Sequence, residues 1–233
     1  MNIIGIDISI NSTAIYIENK EDNKILSFTN KKDNNIYIKE LSSYGVEFIH
    51  LDKIIKTKSY SDNELLKLKQ FDRISDIIYK KVKENIDTTK KTFCQIEGYS
   101  FSKNTSSILD IVSFSTMIKI KLINNIPDIN MSIISPSSLK LEACKLSYKP
   151  IDIGIKKPKF VYKNNEGISG GSFKKHQMFK AMIDGNIKSP ISLMLNQYIH
   201  LLKMKSIPNP IEDIIDAIFA CKSKIKEIEN DIR

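Results

Sequence analysis

Ile3-Ile4-Gly5-Ile6-Asp7, followed across an Asn11-Ser12 turn by Thr13-Ala14-Ile15-Tyr16-Ile17-Glu18, is the stretch whose reading decides the fold. The first run is short, apolar and ends in an acid. The second alternates in the manner of a half-buried strand, and Asn-Ser supplies the turn between them. Ile25 to Thr29 and Val46 to Leu51 continue the strand pattern, with a weaker candidate at Ile36 to Ile38. The chain thus opens with a run of antiparallel strands.

Helical spacing begins further on. Ser61-Asp62-Asn63-Glu64 has the form of a capping box, and Leu68, Phe71, Ile74, Ile78 and Val82 follow on one face to about Asn85. Thr92 to Glu97 is another short strand ending in an acid. Ile108 to Leu122 is apolar on most sides and reads as a buried helix. Met131 to Ile134 is a strand, and Ser135-Pro136 caps the next helix with proline in its first position. Ser147 to Gly171 has no helical period and reads as a long loop or loose hairpin. One helix runs from after Ser172 to near Gly185, Ser189-Pro190 opens another, and Asn209-Pro210 caps the last, which carries Asp213 and Asp216. Strands first, then helices alternating with strands, predict an α/β fold: a mixed sheet of about five strands flanked by helices. With 233 residues and no repeat or clean boundary, one domain over 1–233 is expected, with a basic loop at about 147–171.

Hydrophobic residues make up 41% of the chain and charged residues 27%, which excludes a disordered polyelectrolyte. No apolar run is long enough to span a bilayer, so no membrane partner is expected. The N-terminus enters a strand without a signal peptide's basic start and cleavage site, so an intracellular location is expected. Cys94, Cys144 and Cys221 are widely spaced with no CxxC pair, and read as reduced core thiols. The formal net charge of +9 favours a polyanionic partner, nucleic acid above all. Nearly all of that charge is lysine, since Arg73 and Arg233 are the only arginines. Lysine meets phosphate as a point charge and lacks arginine's bidentate fork, which points to backbone-directed, sequence-tolerant binding.

Four acids stand where one site can form. Asp7 and Glu97 end two strands; Asp213 and Asp216, three residues apart, share a face of the last helix. Carboxylates held together repel each other, and divalent cations remove the penalty. Oxygen-only ligands suit Mg²⁺ or Mn²⁺ rather than zinc. Two such ions about 3.5–4 Å apart can clamp the attacking and leaving oxygens of a phosphodiester cleavage. Each acid also has an ordinary structural explanation: a turn former, a strand end, or an acid favoured in a helix's first turn.

The set as a whole resembles the RuvC-type Holliday junction resolvases, including relatives in phages and large DNA viruses. Ile3 to Asp7 is similar to the family's first-strand motif, Gln95-Ile96-Glu97 to its second acidic motif, and Asn209-Pro210-Ile211-Glu212-Asp213-Ile214-Ile215-Asp216-Ala217 to its final helix. The resemblance implies a ribonuclease H-like fold and a metal-dependent endonuclease acting on branched DNA. In that reading Asp7 bridges two ions, Glu97 and Asp216 hold one each or share them, and Asp213 completes the set. It also implies lysines between the second and third motifs. Ser138-Leu139-Lys140 and Gly171-Ser172-Phe173-Lys174-Lys175-His176-Gln177 resemble the segments that carry them, with Lys140 and Lys175 at the matching places. Ser9 stands where many members have glycine, the 147–171 stretch is longer than the bacterial pattern, and Tyr99 and Phe101 do not align cleanly with the family's single stacking aromatic.

An ammonium beside a scissile phosphate stabilises charge on the leaving oxygen, a role open to Lys175 and Lys140. His176 is a candidate proton shuttle or a surface histidine. Lys156-Lys157-Pro158-Lys159-Phe160-Val161-Tyr162-Lys163 interleaves bases with aromatics. Lys156, Lys157, Lys159 and Lys163, with Lys174, Tyr99 and Phe101, therefore form the expected DNA-binding set; the alternative is an exposed basic loop. A junction must be nicked at two symmetry-related places, so a homodimer is expected, with Ile111, Phe114, Met117 or Ile118 covering a partner. Three alternatives stay open: a nuclease of this fold acting on flaps or RNA–DNA hybrids, an actin- or sugar-kinase-like ATPase suggested by Gly5-Ile6-Asp7 with Ser12-Thr13, and a non-catalytic DNA-binding module.

Overall fold

The structure, a computed structural model, describes residues 1–19, 22–32, 35–52, 57–99, 105–154, 159–169, 173–184 and 187–231. Strands β1 (Asn2–Asp7), β2 (Ser12–Glu18) and β3 (Asn23–Thr29) form an antiparallel meander. Helix α1 (Ile36–Ser43) then leads to β4 (Val46–His50), which lies parallel to β3. Helix α2 (Tyr60–Glu84) crosses to β5 (Thr92–Glu97), and α3 (Thr105–Asn125) crosses to β6 (Ile129–Ile134). Both strands run parallel to β1, and the sheet order is β4-β3-β2-β1-β5-β6. The C-terminal ends of β1, β3, β4, β5 and β6 therefore share one edge of the sheet.

Among the described residues the sheet has six strands, where about five were expected. The addition is β4, whose strand character was legible but whose pairing was not. It is parallel to β3, and a parallel neighbour needs a crossover rather than a hairpin. This corrects the reading of Ile36–Ile38 as a strand. The Asn35 side chain accepts from the Tyr37 and Ile38 amides, and Ile38 and Leu41 bury one helical face.

Two apolar layers sandwich the sheet. Ile4, Ile6, Ile15, Ile17, Cys94 and Ile96 face Phe71, Ile74 and Ile78 of α2 and Phe114, Ile118 and Leu122 of α3. On the other face Ile3, Ala14 and Tyr16 meet helices of the second half of the chain. These are α4 (Pro136–Ser147), α5 (Lys175–Ile183), α6 (Ser192–Gln197) and α7 (Ile211–Asp231). Within the 147–171 stretch, β7 (Pro150–Asp152) pairs antiparallel with β8 (Phe160–Tyr162). Two further expectations need correcting. The α2 cap is Ser59, whose hydroxyl accepts from the Asp62 amide at 3.3 Å, two residues before the box read from the sequence. Helix α3 buries only one face, for Leu109, Ile120 and Ile123 are exposed. The cysteines are free and buried as expected.

Alternation along the strands places Gly5 and Asp7 of β1, and Gln95 and Glu97 of β5, on the face that α7 covers. Helix and strand meet backbone to backbone at Gly5: a Cβ there would lie 2.0 Å from the Ala217 carbonyl oxygen and 2.4 Å from the Cys221 amide nitrogen. Backbone atoms cannot rotate away, so the whole helix would have to retreat. Gly5→Ala should therefore cost about 3 kcal/mol or more, at or beyond the upper end for overpacked cores. The shift of the urea-unfolding midpoint measures this, and a near-wild-type midpoint would contradict the packing.

Candidate metal centre

Asp7 and Glu97 are brought together by strand register. Ile6 pairs with Ile96 across β1 and β5, so the next residues stand side by side at the sheet edge. Beyond Asp7 the chain turns tightly: the Ser12 amide donates to the Ser9 hydroxyl at 3.1 Å, and the Thr13 hydroxyl donates to the Ser9 carbonyl at 2.8 Å. Ser9 thus has its own part in the turn. Helix α7 supplies the other two acids. Its entry is tied to the same edge by Lys31, whose ammonium donates to the Asn209 carbonyl at 2.5 Å. Lower down, the Gln95 amide donates to the Ser223 hydroxyl, fixing α7 against β5.

One carboxylate oxygen from each of Asp7, Glu97 and Asp216 lies within 4.8 Å of the others. Asp213 adjoins this set through Asp7. Asp213 and Asp216 are buried, while Asp7 and Glu97 stay partly open to solvent. Burial, reinforced by the neighbouring carboxylates Glu97 and Asp213, holds Asp7 well above the usual range. Burial likewise raises Glu97, against the pull of the Lys175 charge. It pushes Asp213 up to about 7, opposed by the nearby Ser12 hydroxyl. Asp213 Oδ2 and Asp216 Oδ1 are buried and, among the described residues, have no hydrogen-bond partner. Clustered, desolvated carboxylates with free lone pairs are a donor set that fits a hard divalent cation, with oxygen its only ligand type.

Lys175, the first residue of α5, reaches into this cluster. Its ammonium pairs with Asp216 Oδ2 and lies 3.6 Å from Glu212 Oε1 and 4.0 Å from Glu97 Oε1. Lys140 on α4 is close enough for its charge to favour ionised Glu97. The His176 Nε2 is hydrogen-bonded to the Met204 carbonyl at 2.8 Å. Glu212 was not singled out from the sequence. The available signal was its place one turn before Asp216 on the same helix face.

The proposed DNA-binding set is spread more widely. Lys159 and Lys174 are exposed, and Lys163 is half-buried beside β8, its backbone bridging to Ser169. Tyr99 follows β5 and lies against α3, its hydroxyl accepting from Lys119 at 2.9 Å. Lys156, Lys157 and Phe101 lie outside the described residues. Of the side chains expected to cover a partner, Phe114 and Ile118 are buried within this chain, whereas Ile111 and Met117 are only half-buried. Among the described residues, no helix is long and apolar enough to cross a membrane.

No family model matches the chain, and no curated protein matches it in sequence. Solved structures do match. The yeast mitochondrial Holliday junction resolvase Ydc2 aligns with 97% of this chain and 81% of its own, at 12% identity and a TM-score of 0.50. Thermus thermophilus RuvC aligns with 99% of this chain and 97% of its own, at 11% identity and a TM-score of 0.47. In its complex with a Holliday junction substrate, T. thermophilus RuvC aligns with 98% of this chain and 95% of its own, at 10% identity and a TM-score of 0.45. The fold is ribonuclease H-like, with the antiparallel β3-β2-β1 meander continued by parallel strands. Within that class, the chain is similar in structure to Holliday junction resolvases across nearly its full length.

The raised acids make metal-free stability depend on pH. Asp213 binds a proton in the folded state up to about pH 7 but releases it near its ordinary value when unfolded. Folded protein therefore holds more protons between about pH 4 and pH 7, and stability falls as pH rises through that window. In chelator, the urea midpoint of the wild type should drop between pH 5 and pH 8. Asp213→Asn should drop less, and added Mg²⁺ should restore the wild type at pH 8. A pH-independent midpoint would contradict the assignment.

Proposed function

We propose that this protein is a divalent-metal-dependent endodeoxyribonuclease that resolves four-way DNA junctions. The convergence of Asp7, Glu97 and Asp216 oxygens within 4.8 Å, at one edge of a ribonuclease H-like sheet, carries the reading. These three would hold the metal, Mg²⁺ or Mn²⁺, with Asp213 completing the set and two ions accommodated. Such ions supply Lewis acidity: they make a bound water nucleophilic and neutralise charge on the leaving oxygen.

The protein's own groups do the rest. Four carboxylates fix the geometry at the strand ends and on α7, whose two acids cannot move without moving the helix. Lys175 and Lys140 place ammonium charge beside the cluster, where a leaving 3′ or 5′ oxygen gains negative charge. Lys159, Lys163 and Lys174, with Lys156 and Lys157 and the aromatics Tyr99 and Phe101, contact the DNA arms through phosphate and base stacking. A symmetric homodimer presents two such sites to a two-fold substrate, and the exposed apolar residues Leu109, Ile120 and Ile123 on α3 support an isologous contact there.

The test is a cleavage panel of four-way junctions, flaps, RNA–DNA hybrids and plain duplex, with Mg²⁺ or Mn²⁺. Junctions should be cut fastest, with paired nicks in one binding event on a cruciform. Asp7→Asn, Glu97→Gln and Asp216→Asn should each lower cleavage at least ~100-fold, since disturbing even the outer hydrogen bonds of a metal site costs about 10–100-fold. Junction binding should persist. A monomer by light scattering that cuts flaps or hybrids faster would replace the substrate assignment, and undiminished activity in excess chelator would remove the metal centre.

A further inference from the structure

We propose that the Lys175 ammonium is the resident counter-ion of the carboxylate cluster, that a divalent cation displaces it from Asp216, and that Glu212 is the positioning residue that holds it afterwards. The inference rests on the metal-dependent reading above and concerns how the same site is loaded.

Three carboxylates surround the ammonium, and they are not equivalent. Asp216, its direct partner, and Glu97, at 4.0 Å, belong to the set whose oxygens converge within 4.8 Å. An ammonium at Asp216 and a cation held by that set claim the same lone pairs, and the two positive charges repel across a desolvated space. Both cannot be seated there at once. Glu212, at 3.6 Å, stands outside the converging set. Its side chain is 27% exposed, as is that of Lys175, whereas Asp216 is fully buried. It therefore offers a solvated acceptor that the cluster does not use, one helical turn from Asp216 on the same face of α7.

The base of Lys175 is fixed, and its head lies between two acceptors, Asp216 and Glu212. The Gln177 side chain accepts from the Lys174 amide at 2.8 Å, and the Gln177 and Met178 amides donate to the Lys174 carbonyl at 3.0 and 3.1 Å. The α5 terminus is thereby anchored, and four side-chain torsions carry the ammonium from one acceptor to the other. Two consequences follow. Without metal, the cluster keeps one compensating charge and the buried Asp216 keeps a partner, as burial demands. With metal, the ammonium stays within reach of the cluster instead of drifting into solvent, ready to meet a phosphate.

The experiment is titration of the full chain with Mn²⁺ alone, without DNA, following free Mn²⁺ by electron paramagnetic resonance. Lys175→Met should bind Mn²⁺ about tenfold or more tightly than wild type, because a competing charge is gone. Its cleavage should nevertheless fall. Glu212→Gln should weaken Mn²⁺ binding in the wild-type background, since the displaced ammonium loses its acceptor. In the Lys175→Met background the same change should alter affinity less than about twofold, the mark of a residue acting through another. If circular dichroism shows that Lys175→Met is not folded, Lys175→Gln, whose amide still donates to Asp216, takes its place with the same expected direction. Unchanged affinity in the Lys175 variant, beside normal binding by wild type, overturns this inference alone. Equal weakening by Glu212→Gln in both backgrounds overturns the role of Glu212, leaving it a direct charge on the ion. No Mn²⁺ binding by wild type in the millimolar range overturns the metal centre and this inference together.

Discussion

Helix α7 lies directly on the backbone of β1 at Gly5, and the placement of both of its acids follows from that contact. A helix held off by side chains would sit further from the sheet and would carry Asp213 and Asp216 away from the strand ends. At Gly5 no side chain intervenes, and the first turns of the helix come down over Asp7 and Glu97. Contacts further along lock the register. Gln95 donates to Ser223 in the interior, and Lys222 pairs with Glu18 of β2 at 2.5 Å. The site is therefore precise because it is built on a strand, its parallel neighbour and a helix, not on loops.

The electrostatics run against the packing. Burying several carboxylates near one another disfavours their charged forms, and the ammonium of Lys175, with Lys140 further off, compensates only part of the charge. Stability has to come from elsewhere, and the two apolar layers provide it. Phe28, Phe71, Phe114, Phe179 and Phe219 are all fully or almost fully buried, divided between the two faces of the sheet. Each fully buried side chain of this size contributes about 1.5–3 kcal/mol. A desolvated, charged edge is thus sustained by a well-packed middle.

Much of this was legible in the sequence, and what was not has physical reasons. Strands ending in Asp7 and Glu97 declared themselves by apolar runs closed with an acid, and the three-residue spacing of Asp213 and Asp216 put both on one helix face. Ile36-Tyr37-Ile38 misled because β-branched residues at alternate positions imitate a strand. The deciding signal was Asn35 as a cap, together with a parallel β4 that no local pattern announces. Helix α3 looked buried all round because Leu109, Ile120 and Ile123 are apolar, yet only Phe114, Ile118 and Leu122 with their neighbours meet the core. Gly5 was visible as part of a motif, but its reason for being glycine lies 212 positions away at Ala217, and only tertiary structure reveals it. Glu212 was hidden by its better-placed neighbours.

The direction of the strands accounts for why the chemistry gathers at one edge. Five of the six strands end there, and each crossover returns the chain to the opposite edge to begin again. Helices that follow a strand, or that bring a residue to the strand ends, consequently begin at that edge. Helix α4 starts directly after β6, where the Gly98 amide donates to the Ile134 carbonyl at 2.7 Å, and α5 and α7 start with Lys175 and Ile211 beside the cluster. The partial positive charge at helix N-termini and the lysines near them oppose the field of the carboxylates. In open α/β sheets the crevice beyond the strand ends is the usual seat of a ligand. Here it combines acids that suit a cation with a basic surround that suits a polyanion. In the reading proposed above, a cation held by the acids and a phosphodiester backbone met by the lysines would satisfy both at once, whereas a neutral ligand would satisfy neither.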